Sequence, residues 1–415
     1  MDLEVSKSIL KIVREKIMSK NSIPKIRFQN FKNEWIDSTI GRHISLLNGR
    51  AYKQEELLDE GKYRVLRVGN FNTNSKWYYS NLELEEDKYV NKGDLLYLWA
   101  TNFGPEIWTE EKAIYHYHIW KLEFDRTEIN QDYLNIWLES DKNKIQQNTN
   151  GSTMVHITKT MMEERGISLP NFDEQSAIGS LFRTLDDLLV SYKDNLTNYQ
   201  SLKAVMLSKM FPKAGQTVPE IRLDGFEVEW EEKKLGEIVD IVGGGTPDTN
   251  VKEYWNGEIN WFSPTEVGNS IYLDTSEKRI SELGLQKSSA KILPANRTIL
   301  FTSRAGIGSV GIITKDSTTN QGFQSLVIKE GIDIYFLFSY SSEITRYALK
   351  HSAGSTFLEI SGKELGKMDI IIPTYEEQQA IGDYFSILDN LINSHQEKIT
   401  QLETLKKKLL QDMFI

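Results

Sequence analysis

The chain carries the same sequence pattern twice, and this repeat limits the fold more than any other feature. Residues 24–41 are matched by residues 219–236, and residues 151–179 are matched by residues 354–382. The first pair of segments shares Pro24, Ile26, Arg27, Phe31, Trp35 and Gly41, which recur as Pro219, Ile221, Arg222, Phe226, Trp230 and Gly236. The two halves therefore agree at their ends and differ in their middles. We expect one scaffold, used twice, that carries two different binding surfaces.

Length and composition are those of a two-domain globular protein. The 415 residues fit two domains of about 150 residues each plus connecting structure. No apolar run approaches the roughly 18 residues of a membrane helix, and residues 1–20 lack the features of a signal peptide. The absence of cysteine excludes disulfides, and we expect a cytoplasmic protein. Because the net charge is −10, any nucleic-acid contact must come from local basic patches.

Each half is predicted to be a mixed α/β globular region that ends in a long helix. Short runs of β-branched and aromatic residues, separated by glycine, asparagine and proline, indicate sheets that are mostly antiparallel. The predicted division is an N-terminal extension (1–21), a first globular region (22–172), a central helix (173–216), a second globular region (217–375) and a C-terminal helix (376–415).

The two long helices are predicted to pair with each other. Apolar residues recur at alternating steps of four and three, the spacing of a coiled-coil seam. This stripe extends from Ile178 to Tyr199 and from Ile381 to Leu402. It begins with Ile178, Phe182, Leu185 and Leu189 in the first helix and with Ile381, Phe385, Leu388 and Ile392 in the second. Residues 212–218, which join the first helix to the second globular region, reach about 25 Å when extended, whereas each helix is roughly 60 Å long. The helices must therefore run antiparallel, related by an approximate two-fold axis.

The sequence offers no constellation for catalysis. It contains no phosphate-binding P-loop, zinc-protease motif or nucleophile elbow. The glycine-rich segment 242–247 is most simply a tight turn, and His116 with His118 lacks a third metal ligand. Glu174 and Glu377 follow predicted helix starts, where the helix dipole favours negative charge. We therefore expect a binding protein without metal or cofactor.

Polar residues on predicted loops are the candidates for binding, because Arg, Asn, Gln and Ser pair with base edges and phosphates. They are Arg64, Arg67, Asn70, Asn72, Thr101, Asn102 and Lys112 in the first region, and Thr246, Ser263, Thr265, Thr302, Ser303, Arg304, Asn320 and Gln321 in the second. Ordinary hairpin loops are an equally good interpretation of the second set. A segment common to both halves adds Ser152, Thr153, Ser355 and Thr356, as shared scaffold or as phosphate contacts.

Taken together, the repeated motifs resemble the specificity subunit of type I DNA restriction–modification systems. The resemblance rests on residues 24–41 and 219–236, on the Gly-Ser-Thr segments, and on Pro-x(3)-Glu-Gln-x-Ala-Ile-Gly at 170–179 and 373–382. It covers residues 22–415. It implies an α/β protein in which two mixed α/β target-recognition domains are joined by two long antiparallel coiled-coil helices, in a pseudo-two-fold tandem repeat.

The resemblance also implies partners. Each target-recognition domain would read one half of a split, asymmetric site in double-stranded DNA, and the helices would set the spacing. Two methyltransferase subunits, which methylate N6 of adenine, and two ATP-dependent restriction subunits would complete the complex, with no membrane partner and no catalysis by this chain. The stripe residues near 178–189 and 381–392 would dock the methyltransferase subunits.

Three other interpretations stay open at this point. The first is a specificity module of another restriction class, the second is a protein-binding coiled-coil scaffold, and the third, which agrees least with the motifs, is a hydrolase. Salt-sensitive binding to a split DNA site would separate a specificity module from a protein-binding scaffold.

Overall fold

The computed structural model describes residues 24–71, 74–100, 103–148, 157–213, 215–304, 306–354 and 358–414. For residues 147 and 148 it describes the backbone alone. The predicted extension, residues 1–21, lies outside these ranges. The chain forms two compact units. The first unit comprises Met1–Tyr192 and Glu397–Ile415, and the second comprises Lys193–Gln396. Each long helix therefore contributes to both units. The predicted boundaries between globular regions and helices remain a prediction.

The first unit combines ten strands with short helices and parts of both long helices within its described residues. Its strands are β1 (Ile36–Thr39), β2 (Ile44–Asn48), β3 (Tyr63–Leu66), β4 (Tyr78–Ser80), β5 (Tyr89–Val90), β6 (Leu95–Leu98), β7 (Gly104–Ile107), β8 (Ala113–Tyr115), β9 (Ile119–Phe124) and β10 (Gly166–Leu169). Its helices are α1 (Ile40–His43), α2 (Gln131–Asn148), α3 (Lys159–Glu163) and the start of α4 (Phe172–Lys209).

Two four-stranded sheets position the loops of the first unit. One has the order β2-β9-β6-β7 and the other β4-β3-β8-β5, while β1 pairs with β10. Most neighbours are antiparallel, but β3 and β8 run parallel. Apolar residues from the first sheet, α2 and both long helices share one core, which includes Tyr133, Phe182 and Phe414.

The second unit repeats this plan with different lengths. Its strands are β11 (Glu231–Lys234), β12 (Val239–Gly243), β13 (Trp255–Phe262), β14 (Tyr272–Leu273), β15 (Lys278–Ile280), β16 (Thr298–Phe301), β17 (Val310–Ile313), β18 (Ser317–Thr319), β19 (Gln324–Ile328) and β20 (Asp369–Ile372). Its helices are α5 (Leu235–Ile238), α6 (Glu282–Gln286), α7 (Ile334–Ser339), α8 (Ser341–His351), α9 (Gly362–Leu365) and the start of α10 (Tyr375–Asp412).

Strand order in the second unit follows that of the first except at the sheet edges, where β14 is added beside β17 and β18 is an edge strand, whereas β8 is flanked by β5. The sheets have the orders β12-β19-β16-β17-β14 and β15-β13-β18, and β11 pairs with β20. The parallel pair β13–β18 takes the place that β3–β8 has in the first unit. The predicted mixed α/β, mostly antiparallel repeat is therefore confirmed. Within the described residues, no helix is both long and apolar enough to span a membrane.

The long helices run antiparallel within each unit, as the linker length predicts. In the second unit, Tyr199 contacts His395 and Lys203 binds Asp389, so residue numbers rise along α4 as they fall along α10. In the first unit, Phe182 contacts Phe414 and Asp186 binds Lys406, which gives the same direction. Each helix has 38 residues, and α4 ends at Lys209, before the predicted boundary at 216.

The stripe proposed for partner docking is instead buried inside the chain. Ile178, Phe182, Leu185 and Leu189 belong to buried positions of the first unit, and Ile381, Phe385 and Leu388 to the core of the second, with Ile392 partly buried. A heptad stripe indicates that one face of a helix is buried, but it does not indicate which element packs on that face. Here the chain's own globular elements and the other long helix cover it, so we withdraw these side chains as methyltransferase contacts.

A buried ion pair explains the first repeated motif. Arg27 Nε and Nη2 donate to Glu174 Oε1 and Oε2 at 2.6 and 2.7 Å, and Trp35 Nε1 donates to the same carboxylate. The second unit has the same arrangement, in which Arg222 and Trp230 bind Glu377. Glu174 and Glu377 are 0% and 1% exposed. The earlier interpretation of these carboxylates as helix-dipole charges is therefore incomplete, because a distant arginine neutralises each of them.

The repeated glutamine and glycine also pack at the start of each long helix, next to the buried ion pair. The amide of Gln378 donates to the Pro373 carbonyl and accepts from the Asp333 backbone N–H at 3.1 Å. A Cβ at Gly382 would lie only 2.4 Å from the Asp333 carboxylate. In the first unit, Gln175 and Gly179 make the corresponding contacts. The repeated residues are thus scaffold, and they hold the start of each long helix against its globular elements.

Candidate nucleic-acid interface

Four loops meet at one end of the second unit. We call residues 244–246, 263–266, 302–304 and 320–323 the second loop cluster. The parallel strands β13 and β18 end side by side there, since Phe262 pairs with Thr319. Backbone bonds join the loops: Gly245 N–H donates to the Thr319 carbonyl at 2.8 Å, and Ser303 N–H donates to the Gly322 carbonyl at 2.8 Å. The predicted polar residues of the second region are therefore brought together.

The glycines at the start of this cluster are required by close packing. A Cβ at Gly244 would lie 2.0 Å from the Asn320 carbonyl oxygen, so no other residue fits without moving the backbone. The segment is a tight turn against its neighbour loop, which agrees with the structural interpretation of residues 242–247.

Several predicted side chains of the second loop cluster face outward. Thr246 donates to the Gln321 side-chain oxygen, which couples the first and last loops. The Ser263 hydroxyl contacts Thr265 Oγ1 at 3.0 Å and donates to Glu266. Asn320 holds its own turn by accepting from Gly322 N–H at 2.8 Å. Hydroxyl and amide groups therefore form a surface that can both donate and accept hydrogen bonds.

Thr302, Ser303 and Arg304 have different environments although they are consecutive. Thr302 and Ser303 are 1% and 0% exposed, and the Thr302 hydroxyl binds the Gly306 carbonyl. We therefore no longer count these two as contacts, because their side chains support the loop from within. The half-buried Arg304 side chain has no hydrogen bond or ion pair with the described residues. It is the member of the predicted set that is best placed to bind an acceptor.

The first unit has a matching cluster at the ends of β3 and β8. We call residues 49–52, 67–71, 99 and 116–118 the first loop cluster. His116 N–H donates to the Leu66 carbonyl, Tyr117 N–H donates to the Arg50 carbonyl, and Trp99 N–H donates to the His118 carbonyl. Residues 116–118 lie between β8 and β9, which is the position of residues 320–322 between β18 and β19.

The cations predicted for the first region are engaged with neighbours. Arg64 binds Glu110 and Lys112 binds Glu86, both at exposed positions. The Arg67 guanidinium lies 4.3 Å from the centre of the Tyr78 ring, while Asn70 organises the loop by accepting from the Arg67 N–H. Of these residues, Arg67 and Asn70 belong to the first loop cluster. Exposed ion pairs contribute little energy and exchange readily for a phosphate, so Arg64 and Lys112 stay candidates.

Aromatic residues that were not predicted as DNA contacts complete the first loop cluster. Trp99 is half-buried and Tyr117 is exposed, and both touch the His118 ring. In sequence they look like core residues or a weak metal pair. Within the described residues, no group of three or more His, Asp or Glu side chains is placed to hold a metal ion.

Seven predicted contacts lie outside the described residues. They are Asn72, Thr101, Asn102, Ser152, Thr153, Ser355 and Thr356.

We expect His116 to titrate far below the usual range of histidine. Burial, with His118 and Arg67 adding to it, lowers the pKa of His116 to about 4. A histidine in the unfolded chain titrates at about 6.5, so between these values the unfolded state binds more protons. The first unit should therefore lose stability as the pH falls from about 6.5 to about 4.

Ring resonances of His116, followed by NMR across this range, should give a midpoint near pH 4. In a His116→Asn variant, the loss of stability over the same range should be smaller. A midpoint at about 6.5 would contradict the expectation.

Comparison with known proteins agrees with the repeat. The model of the type I restriction modification DNA specificity domain matches residues 19–198 and again residues 227–404. These ranges cover well over half of the chain, once in each half. The chain therefore belongs to the family of type I restriction–modification specificity proteins, and the resemblance seen in its motifs is confirmed.

Relatives in this family match over part or most of the chain. The type I restriction enzyme MjaIX specificity subunit of Methanocaldococcus jannaschii is 38% identical over 192 residues, 45% of this chain and 44% of that protein. The EcoR124I/EcoR124II specificity subunit of Escherichia coli is 34% identical over 190 residues, 44% of this chain and 46% of that protein. The chain thus spans about half the length of these two relatives. The MjaVIII specificity subunit of M. jannaschii is 26% identical, with 91% of each chain covered.

Solved structures show the same fold. The S subunit of a type I restriction–modification system from M. genitalium has a TM-score of 0.64, with 18% identity, and the match covers 95% of this chain and 99% of that chain. A chain from a structure that describes complex assembly and conformational transition of the type I R-M system has a TM-score of 0.52, with 16% identity and coverages of 92% and 97%. At these identities the agreement concerns the fold.

Proposed function

We propose that this chain is the DNA-specificity subunit of a type I restriction–modification complex. Each unit reads one half of a split site, and the observation that carries this is the pair of loop clusters. They occupy the same topological position on a repeated scaffold, yet they present different side chains. Two different readers on one scaffold imply an asymmetric site, with the paired long helices setting its spacing.

The chain itself catalyses no step in this proposal. Two methyltransferase subunits transfer a methyl group to N6 of adenine, and two restriction subunits use ATP to cleave DNA, all in the cytoplasm. Because the net charge of the chain is −10, these partners supply much of the positive charge that faces the phosphates. The isolated chain should then bind DNA more weakly than the complex.

The proposal is tested by sequencing methylated DNA from cells that carry the chain with its methyltransferase partner. We expect an interrupted adenine-methylation motif with two unlike halves. An Arg304→Ala variant should relax one half only, because a good base contact discriminates by about 1–3 kcal/mol. Binding of the complex to the site should also weaken steeply as salt rises.

Lys329→Ala is the matched control. Lys329 follows β19 at the end away from the second loop cluster and lies 3.4 Å from Asp240. The Lys329→Ala variant removes one positive charge, as Arg304→Ala does, and should leave the methylation motif unchanged. Equal relaxation of both half-sites by Arg304→Ala, or the same relaxation by Lys329→Ala, would count against the proposal.

A further inference from the structure

The first loop cluster ends in a compact group of aromatic rings. We call Trp99, His116, Tyr117 and His118 the aromatic tip. The Tyr117 ring lies 4.3 Å from the His116 ring and 4.1 Å from the His118 ring, and His118 packs edge-on against Trp99 at 4.9 Å. Tyr117 is 39% exposed. The tip therefore presents aromatic carbon to the outside at a place where the second unit presents amides.

Hydrogen bonds and stacking hold the aromatic tip in one geometry. Trp99 Nε1 donates to the Tyr117 carbonyl at 2.8 Å, and Tyr117 N–H donates to the Arg50 carbonyl at 3.2 Å. Behind the tip, Trp99 stacks on Trp120 at 6.0 Å, and Trp120 stacks on the buried Tyr97 at 6.1 Å. A surface ordered in this way loses little conformational freedom on binding.

The tip is not shaped for insertion between base pairs. Wedges that unstack DNA are side chains that enter between bases. The Tyr117 ring packs against both histidine rings, which lie only 4.8 Å from each other and therefore on the same side of it, and Tyr117 is 39% exposed. It is part of a packed group of rings and not a projecting wedge. What it can offer is an apolar contact at a base edge. In the major groove, the apolar group on a base edge is the 5-methyl group of thymine.

Building on the proposed function, we propose that Tyr117, backed by Trp99 and His118, contacts the 5-methyl group of a thymine in the half-site read by the first unit. Arg67, in the same loop cluster, is half-buried with its guanidinium 4.3 Å from the centre of the Tyr78 ring, and it would bind the neighbouring phosphate or guanine. The neutral His116 ring adds one donor or one acceptor beside the thymine. The first half-site therefore contains at least one thymine on either strand.

The test uses the full chain in complex with its methyltransferase subunits and DNA that carries the methylation motif. Each thymine of the site is replaced singly by deoxyuridine, which pairs with adenine but lacks the methyl group. At one position in one half-site, wild-type affinity should fall about fourfold, the value for one buried methyl-sized group. Tyr117→Ala should bind the unmodified site roughly tenfold more weakly, as for a central aromatic contact, and should no longer respond to that replacement.

Two variants make the result specific. Tyr117→Phe should keep both affinity and the response to deoxyuridine, because the contact is through ring carbon. Gln321→Ala, in the second loop cluster, should weaken binding through the other half-site and keep the response at the first.

The inference is overturned if no replacement matters, or if Tyr117→Ala still responds. It is also overturned if Tyr117→Phe is as damaging as Tyr117→Ala, which would indicate a hydroxyl contact. In those outcomes a complex that still selects a split site leaves the proposed function intact. Loss of all site selectivity in the wild-type complex would overturn both.

Discussion

Arg222→Met is expected to destabilise the second unit by about 3–5 kcal/mol, because it leaves a buried carboxylate without its cation. Glu377 is 1% exposed, and its two oxygens accept from Arg222 Nε and Nη2 at 2.8 and 2.7 Å. Without Arg222 the carboxylate keeps, among the residues that the structure describes, only the Trp230 indole N–H, at 3.3 Å. Urea unfolding followed by circular dichroism measures the loss, and hydrogen exchange assigns it to the second unit.

Two further variants separate this explanation from a general effect of losing arginine. Arg222→Met combined with Glu377→Leu removes both charges and should recover much of the stability, since apolar replacement of a whole buried pair is often close to neutral. Lys234→Met breaks an ion pair with Asp369 in which both side chains are about half exposed, and it should cost less than about 1 kcal/mol. An Arg222→Met variant as stable as Lys234→Met would show that the buried pair is not what holds this junction.

The sequence predicted the architecture because repetition and periodicity are local signals. The matched segments predicted two copies of one scaffold. The spacing of apolar residues at alternating intervals of four and three predicted the long helices and their buried faces. The linker of residues 212–218 is too short for parallel helices, so it predicted an antiparallel pair. The ion pairs Lys203–Asp389 and Asp186–Lys406 confirm this direction within each unit.

Partners across long sequence separations were not predictable from local patterns. Glu377 has the sequence context of a helix-start charge, and only the folded chain places Arg222, 155 positions away, against it. The same reason explains the error about Phe182 and Phe385. Their periodicity shows burial, but the covering surface comes from distant elements such as α2 and α7.

The loops of the candidate site were easier to recognise from the sequence in the second unit than in the first. Thr246, Asn320 and Gln321 are polar residues next to glycines, which is a loop signature, and the structure brings them together. Trp99 and Tyr117 have the composition of core residues. Their position at the ends of β6 and β8 becomes visible only when the strand order is known.

Reversing the charge of Lys203 is expected to weaken the pairing of the long helices in the second unit. Lys203 Nζ lies 2.5 Å from Asp389 Oδ1, and the Tyr335 hydroxyl donates to Asp389 Oδ2 at 2.8 Å. The Asp389 side chain is 7% exposed. Lys203→Asp would replace this attraction by repulsion between two carboxylates in a nearly buried place. The free energy of unfolding should fall by about 3–5 kcal/mol, the cost of breaking a buried pair.

The exchanged pair, Lys203→Asp with Asp389→Lys, should restore part of this loss, with a coupling energy of about 1–3 kcal/mol in a double-mutant cycle. Recovery stays partial because Tyr335 loses its acceptor. The repeat supplies a comparison in the first unit, where Lys406 binds Asp186 at 2.8 Å and Glu139 at 3.3 Å, and these two carboxylates are 42% and 35% exposed. Solvent screens both carboxylates, so Lys406→Asp should cost less than Lys203→Asp, although the new carboxylate faces two others. Absence of rescue by the exchange would mean that these residues do not face each other, and the antiparallel register of the helices would then be wrong.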